Sequence, residues 1–222
     1  MKLNRHDIQR YFHAEVCSFA YQPLMCSADF FFPNASIQGI RFENALTPQE
    51  RNLEMEFWSE KDISRFTAEL ISHNVNLLNI DDGFIYDIVY KGGNSIATQI
   101  WNNYYTVSYP VYAIQKGHLV RTELKRKSNF LRILGTWEAP CSIRITPDHD
   151  INVFTINDIT VKNLKRGITF VIDGINKLVE ANGVNRFGDT DIKKFPSFPV
   201  GDHEVRISEV ANVVVEYYPI YM

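Results

Sequence analysis

The chain has 222 residues and a mass of 25.7 kDa, which fits one large β domain or two domains of about 100 residues each. Its hydrophobic fraction of 45% and charged fraction of 22% exclude disorder along the whole chain. The net charge of -3 gives no electrostatic footprint for nucleic acid or for an anionic membrane surface.

The N-terminal segment is polar and charged. It lacks the apolar stretch of a signal peptide, and no run of 18 apolar residues follows anywhere, so we expect neither secretion nor a transmembrane helix. Synthesis and folding in the cytoplasm are therefore expected. Residues 3–12 are compatible with a short helix, but residues 1–36 otherwise show no clear pattern.

Residues 37–57 have a strand-like pattern. Leu53, Met55 and Phe57 alternate with Glu54 and Glu56, which predicts a strand with one buried and one solvated face.

The clearest helix is predicted over residues 60–73. Ser59 is a suitable N-cap, and Asp62 three residues later resembles a capping box. The apolar positions of one helix face follow at helical spacing: Ile63, Phe66, Leu70 and Ile71.

Short strands are expected from residue 76 onward. Residues 77–80 and 84–90 flank a turn at Asp81-Asp82-Gly83, and residues 104–114 form a further strand rich in Tyr and Val. Pro110 within this last strand suggests a sheet edge or a bulge, because proline cannot donate to a ladder.

The amino-acid composition changes near residue 125, and this change predicts a domain boundary. The segment 121–127 is basic with almost no apolar content. It is interpreted as a solvated linker, with a contact strip for an acidic partner or a nucleic-acid phosphate as the alternative. The predicted domains are residues 1–125 and 126–222.

The pattern of the second domain predicts only strands and turns, with no helix. Asn157-Asp158, Asp173-Gly174 and Asn182-Gly183 are hairpin signals, and the strands recur every 8–12 residues, as is typical of a β-sandwich.

No catalytic motif is recognisable. The chain has no GxGxxG, P-loop, HExxH or GxSxG sequence, and its six histidines match no common metal spacing. The three cysteines, Cys17, Cys26 and Cys141, are odd in number and lack a CxxC pair, so we expect reduced, buried thiols.

Three features are weaker candidates for a metal or catalytic site. Asp148-His149-Asp150 and Asp189-Thr190-Asp191 have the DxD form that can hold a divalent cation, and Cys141 with a histidine could act as a nucleophile pair. Polar turns and a buried cysteine are the simpler interpretations. We therefore expect no catalytic, cofactor-binding or metal site.

The second half resembles the C-terminal domain of siphophage distal tail (Dit) proteins, and the first half is similar to their N-terminal domain in its order of strands, one helix and strands. The resemblance covers most of residues 37–222. The stretches that carry it are 135–140, 142–146, 156–164, 170–174, 182–185, 187–191, 195–196 and 213–219.

The resemblance implies a mainly β protein with an α+β N-terminal domain containing one helix and a galectin-like C-terminal β-sandwich. It implies a non-enzymatic homohexameric ring, without cofactor, at the virion tail tip. Its partners would be the tail tube protein, the tape measure protein and tail-associated fibre, lysin or receptor-binding proteins. A ring needs a heterologous interface, and the Pro110 strand and residues 34–41 are candidate edges for it.

Two other functions are alternatives to a structural ring. The abundant aromatic residues, 15 Phe and 11 Tyr, are also compatible with a carbohydrate-binding β-sandwich for host cell-wall glycan, acting through residues such as Trp137. No Trp follows Trp137, which weakens this alternative. An enzyme of unknown class has no catalytic constellation to support it.

Overall fold

The computed structural model describes residues 1–21, 30–31, 40–41, 49–92 and 97–221. The chain is mainly β and divides into two compact units, Met1–Gln115 and Lys116–Tyr221. None of the described helices is long and apolar enough to cross a membrane.

The first unit contains two helices and ten strands among its described residues. In chain order they are β1 (Lys2–Leu3), β2 (His6–Asp7), α1 (Ile8–Phe12), β3 (Ala14–Tyr21), β4 (Phe30–Phe31), β5 (Ile40–Arg41), β6 (Gln49–Phe57), α2 (Glu60–Ser72), β7 (Asn76–Asn79), β8 (Ile85–Tyr90), β9 (Ala97–Trp101) and β10 (Tyr104–Lys116).

The main sheet of this unit has the order β2-β1-β7-β8-β10-β6-β3, and β9 pairs with the start of β10. Strands β6 and β10 pair from Tyr105↔Phe57 to Ala113↔Gln49. As expected, Leu53, Met55 and Phe57 are buried, because alternate side chains of β6 point into the core.

Helix α2 covers the buried face of the sheet. It begins at the Ser59 cap, whose hydroxyl accepts a hydrogen bond from the Asp62 amide, as the sequence predicted. Phe66 and Leu70 are buried. Ile71 is 65% exposed, so its assignment to the buried face was wrong. Successive helical residues lie about 100° apart, which turns Ile71 away from the line of Phe66 and Leu70.

The segment 3–12 is helical only in its second half. Strands β1 and β2 form a small hairpin, and Asp7 then caps α1 by accepting from the Arg10 amide. The helix ends at His13, whose φ of 45° is left-handed.

The strand that contains Pro110 is not at a sheet edge, so that expectation was wrong. Strand β10 lies between β8 and β6, and the Pro110 carbonyl accepts from the Lys91 amide. A strand residue directs its N and its C=O to the same side. The missing donor therefore faces the end of β8 and leaves the ladder with β6 intact. The other edge candidate, residues 34–41, lies almost entirely outside the described residues.

The second unit contains the remaining strands and one short 3-10 helix. They are β11 (Val120–Leu124), β12 (Ser128–Ile133), β13 (Ala139–Thr146), β14 (Ile151–Ile156), β15 (Ile159–Leu164), β16 (Phe170–Asp173), β17 (Leu178–Ala181), β18 (Val184–Asn185), the 3-10 helix (Phe187–Asp189), β19 (Ser197–Phe198), β20 (Gly201–Arg206), β21 (Asn212–Tyr217) and β22 (Ile220–Tyr221).

These strands form a β-sandwich. One sheet has the order β11-β21-β13-β16-β17-β18, with β19 paired to β13. The other consists of the pairs β12-β20 and β14-β15, which an Ile156↔Ile207 bridge connects. One apolar core takes side chains from both sheets, among them Phe154, Phe170 and Tyr217.

Asp173-Gly174 lies in a turn, as predicted. Glycine is required there because backbone atoms of another segment lie too close for a side chain. Asp173 Oδ1 accepts the amides of Ile175 and Asn176, and the left-handed residue is Lys177. A Cβ on Gly174 would lie 2.2 Å from the carbonyl oxygen of Pro196. Gly174 therefore allows two backbone segments to approach closely.

The Phe66 side chain should be a main source of stability in the first unit. Its ring contacts Phe12, Phe57 and Tyr109 edge-on or tilted, and it is fully buried. We expect Phe66→Ala to lower the free energy of unfolding by about 3–5 kcal/mol. Ile71→Ala, in the same helix but exposed, should change it by less than about 0.5 kcal/mol. Urea unfolding followed by circular dichroism measures both; equal losses would contradict the packing described.

Candidate assembly surfaces

The Asp148-His149-Asp150 segment is a turn whose charges are tied in different directions. His149 Nδ1 lies 2.6 Å from Asp148 and its Nε2 3.0 Å from Glu209. Asp150 instead accepts from the Arg166 amide at 2.9 Å and pairs with Lys165 at 2.7 Å. The two aspartates therefore do not converge on one point where a cation could bind.

The Asp189-Thr190-Asp191 segment is likewise internally bonded. Asp189 pairs with Arg186 and accepts from Asn163, whereas Asp191 accepts from the Thr160 amide at 2.6 Å. Among the described residues, no group of three or more His, Cys, Asp or Glu side chains could hold a metal ion.

Cys141 is fully buried on β13, and burial raises the pKa of its thiol to about 12. At neutral pH such a thiol holds almost no thiolate, which is the nucleophilic form. The structure thus gives Cys141 a packing role.

A crevice of about 560 Å³ opens in the second unit beside Phe195 and Phe198. Phe195 packs against Phe187 and Lys177, and Phe198 against His203, so both rings already have partners. Trp137, the aromatic residue considered for sugar binding, does not line this crevice; its amide is bonded to the Ile220 carbonyl.

One exposed surface of the first unit combines carboxylates with aromatic rings. Glu15 is directly opposite Glu56 in the β3–β6 ladder, and Glu54 follows on the same face. Within the described residues none of these three carboxylates forms an ion pair. We call it the acidic–aromatic surface; its members are Glu15, Glu54, Glu56, Trp58, Trp101 and Tyr104.

The aromatic part of this surface lies next to the carboxylates. Tyr104 donates its hydroxyl hydrogen to Glu56, and its ring contacts Trp58 at a centroid distance of 5.8 Å. Trp101 pairs with Tyr104 at the end of the β9–β10 hairpin and is 75% exposed. Every residue of β9 is exposed, which is unusual for a strand with two large apolar side chains.

The acidity of this surface affects its neighbours. Cys17 is an exposed residue, so the expectation of a buried thiol was wrong for it, and Cys26 lies outside the described residues. Partial burial of the Cys17 sulfur, and then the charge and hydrogen bond of Glu56, raise the pKa of this thiol to about 11. The hydrogen bond to Glu56 also raises the pKa of Tyr104 to about 12. Burial and a nearby carboxylate both raise the pKa of an acidic group, because each disfavours its charged form.

A surface with exposed cations and apolar side chains lies on the second unit, and the β12–β20 ladder also places Glu204 opposite Phe130 and Asp202 opposite Arg132. Phe130, on β12, is 80% exposed, and Leu134 and Val200 are the exposed residues just beyond the end of the β12–β20 ladder. The side chains of Arg126, Lys127 and Arg132 are exposed and form no ion pair within the part of the chain that the structure describes. We call these six residues the basic–apolar surface.

The edge of β12 beside this surface is partly closed. Tyr217 donates its hydroxyl hydrogen to the Arg132 carbonyl at 2.9 Å and accepts from the Leu134 amide at 3.2 Å. Asn129 binds the amides of Lys125 and Arg126 in the preceding turn. With these groups occupied, a partner would contact the face of the sheet and not extend its edge.

Sequence analysis identified the basic segment 121–127 but assigned no role to Phe130. The interpretation of this segment as a linker was wrong for residues 121–124, because they belong to β11, which pairs with β21 and buries Leu124. The alternation of buried Leu131 and Ile133 with Arg132 is visible in the sequence, and it also places Phe130 outside.

The Cys17 thiol should react slowly because its pKa is raised. In a Cys26→Ser background, we expect about 100-fold less thiolate at pH 8 than for an ordinary thiol with a pKa near 9. Glu56→Gln should speed its reaction with iodoacetamide, whereas Glu50→Gln should not. Equal rates in the two variants would show that Glu56 does not raise the pKa.

His149 should titrate at higher pH than an ordinary histidine. Its hydrogen bond to Asp148 and then the charge of Glu209 raise its pKa. A raised folded-state pKa means that the ion pairs stabilise the loop below the unfolded pKa and are lost as pH rises through the folded value. NMR titration should show the His149 pKa falling in Asp148→Asn and less in Glu209→Gln; an unchanged pKa in both would contradict the contacts.

The sequence matches no protein-family model and no curated protein. Among solved structures, the chain is similar to the Dit protein (gp 19.1) of phage SPP1, described as a paradigm of the hub adsorption apparatus in phages that infect Gram-positive bacteria. The TM-score is 0.73 at 11% identity, and the match covers 99% of this chain and 98% of that one.

A second similar structure is a chain of the phage P2 baseplate in its activated conformation with Ca. The TM-score is 0.56 at 10% identity, with 93% of this chain and 90% of that one covered. Both matches extend over the two units, and the chain therefore has the fold of a phage Dit protein.

Proposed function

We propose that the protein is a structural subunit of a phage tail tip, where it forms a hexameric hub that joins the tail tube to the distal adhesion apparatus. The observation that carries this proposal is the match to the SPP1 Dit fold over 99% of the chain, which includes both units in their order. A shared sandwich alone would be weak support, because single β-sandwiches serve many functions.

The proposal extends to the parts of the molecule. Residues 1–125 would form the ring, and residues 126–222 a galectin-like domain that projects from it. The partners would be further copies of this chain, the tube and tape measure proteins, and a fibre, lysin or receptor-binding protein. The product would be located in the virion and would have no enzymatic activity.

The exposed surfaces support an assembling protein. Trp101 and Phe130 are large apolar residues at 75% and 80% exposure. Trp101 pairs with Tyr104, which is hydrogen-bonded to Glu56, and Phe130 lies opposite Glu204 and two residues before the exposed Arg132. Exposed apolar side chains next to uncompensated charge are typical of protein–protein contacts. Sugar binding has less support, since the crevice aromatics are already packed.

Light scattering on the purified full-length protein tests self-assembly. Over a dilution series at low salt, we expect the mass to rise towards six times 25.7 kDa as concentration increases, because subunit association follows mass action. Negative-stain images of the same sample should show closed rings.

A mass that stays at 25.7 kDa at every concentration would contradict self-assembly of the isolated chain. Binding of cell-wall glycan by such a monomer would favour the carbohydrate-binding alternative. A dimer that does not grow with concentration would exclude the hexameric ring.

A further inference from the structure

Two loops of the second unit are joined by one histidine. The β13–β14 loop, residues 147–150, contains His149, and the β20–β21 loop, residues 207–211, contains Glu209. The Nδ1 atom of the imidazole lies 2.6 Å from Asp148, and its Nε2 atom lies 3.0 Å from Glu209. Each ring nitrogen therefore faces a carboxylate oxygen, which can only accept a hydrogen bond when the carboxyl group is ionised.

Only the protonated ring can make both contacts. An imidazolium donates from both nitrogens, whereas a neutral imidazole donates from one and has a lone pair on the other. After loss of the proton, this lone pair would face a carboxylate, so one contact must break. Asp148 is the covalent neighbour of His149 and lies closer to the ring, and we therefore expect the Glu209 contact to be the one that is lost.

The charged groups around the ring favour its protonated form. Asp150 lies in the same loop, and the nearby cations are Lys165, which pairs with Asp150 at 2.7 Å, and Arg166, whose charge acts on Asp148. The contacts of the ring itself outweigh these cations. The pKa of the imidazole is raised, first by its hydrogen bond to Asp148 and then by the charge of Glu209.

The β13–β14 loop is held in place without the histidine. The Asp150 carboxylate accepts the Arg166 amide at 2.9 Å, and the Pro147 carbonyl accepts the Gly167 amide at 2.9 Å. The hydrogen bond from the Arg166 amide also lowers the pKa of Asp150, so this carboxylate stays ionised at neutral pH. Neither hydrogen bond depends on the protonation of the imidazole.

The β20–β21 loop is anchored only at its two ends. The Ser208 amide donates to the Thr155 carbonyl at 2.9 Å, and Ala211 is buried in the core. Between these anchors, Val210 is 52% exposed. Within the described part of the chain, the contact with the imidazole is the one hydrogen bond of the Glu209 side chain. Loss of this contact would free the tip of the loop while both ends stay in place.

A crevice of about 530 Å³ is lined by both loops. Pro147 and Asp148 contribute from one loop, Val210 and Ala211 from the other, and the buried Leu124 of β11 also lines it. The position of the β20–β21 loop tip therefore determines how widely this crevice is open.

We propose that His149 is a pH-sensitive latch: its imidazolium holds the tip of the β20–β21 loop, Glu209–Val210, against the β13–β14 loop, and loss of the proton releases the tip and widens the crevice. Because the folded-state pKa of His149 is raised, the latch stays closed to higher pH than an ordinary histidine would allow, and it opens as pH rises through that folded value. All of its parts lie in the second unit, so the latch does not depend on the proposed self-assembly.

Methyl NMR of the full-length protein tests the latch, because it applies to a monomer and to a large oligomer alike. The methyl order parameter of Val210 should fall by about one third between about pH 5 and about pH 9, which is the difference between ordered and flexible segments. The midpoint of this change should coincide with the titration of the His149 ring protons in the same sample. Val153, 56% exposed on β14, is the internal reference and should change little.

Three variants separate the latch from other effects of pH. His149→Gln has no charge at any pH, so Val210 should be equally mobile at both pH values. In Glu209→Gln the neutral amide can pair with either form of the ring, and the pH response of Val210 should largely disappear. Glu204→Gln is the matched control: Glu204 is an exposed carboxylate on β20 that pairs with Arg206, and its removal should leave the response as in the wild type.

The outcomes decide the proposal directly. A Val210 order parameter that is the same at both pH values in the wild type would refute the latch. A response that persists in His149→Gln would also refute it, since another group would then be titrating. Equal loss of the response in Glu204→Gln and Glu209→Gln would indicate a general effect of charge and again contradict the specific contact. The hexameric hub is tested separately by light scattering and stands or falls on that result.

Discussion

The alternation of side chains along each strand, with one face buried inside its own unit, is the constraint on which this structure depends. In β6, Leu53, Met55 and Phe57 fill the core, so Glu54 and Glu56 must face outward. In β12, burial of Leu131 and Ile133 forces Phe130 and Arg132 to the surface. The two-residue period that buries the core side chains therefore also determines which side chains lie on the two exposed surfaces. A shift of one residue along either strand would move its core side chains to the outside.

The units use their outer faces differently. The first unit exposes carboxylates without an ion pair among the described residues, and the hydrogen bond to one of them, Glu56, raises the pKa of Tyr104, whereas the second unit leaves cations and Phe130 exposed. Isolated surface ion pairs contribute little to stability, so neutralising these charges within one chain would bring little gain. These exposed charges are therefore available to a second molecule, and the strength of an interaction with it would fall as the salt concentration rises.

Several polar side chains bind loops and strand edges within their own unit. Tyr217, buried in the sandwich, reaches β12 and binds backbone groups at its edge, and His149 joins two loops through Asp148 and Glu209. The Tyr217 hydrogen bonds close part of a strand edge, and free strand edges are where β proteins aggregate.

Local periodicity and turn chemistry in the sequence predict the mainly β fold, the Ser59-capped helix, the alternation in β6 and the turns of the second unit. They also indicate that the two DxD segments are turns. Long-range packing, in contrast, places Pro110 inside a sheet, leaves Ile71 exposed and makes glycine necessary at position 174, beside the Pro196 carbonyl. Each of these depends on which distant strand or segment lies alongside, and a local pattern contains no information about that neighbour.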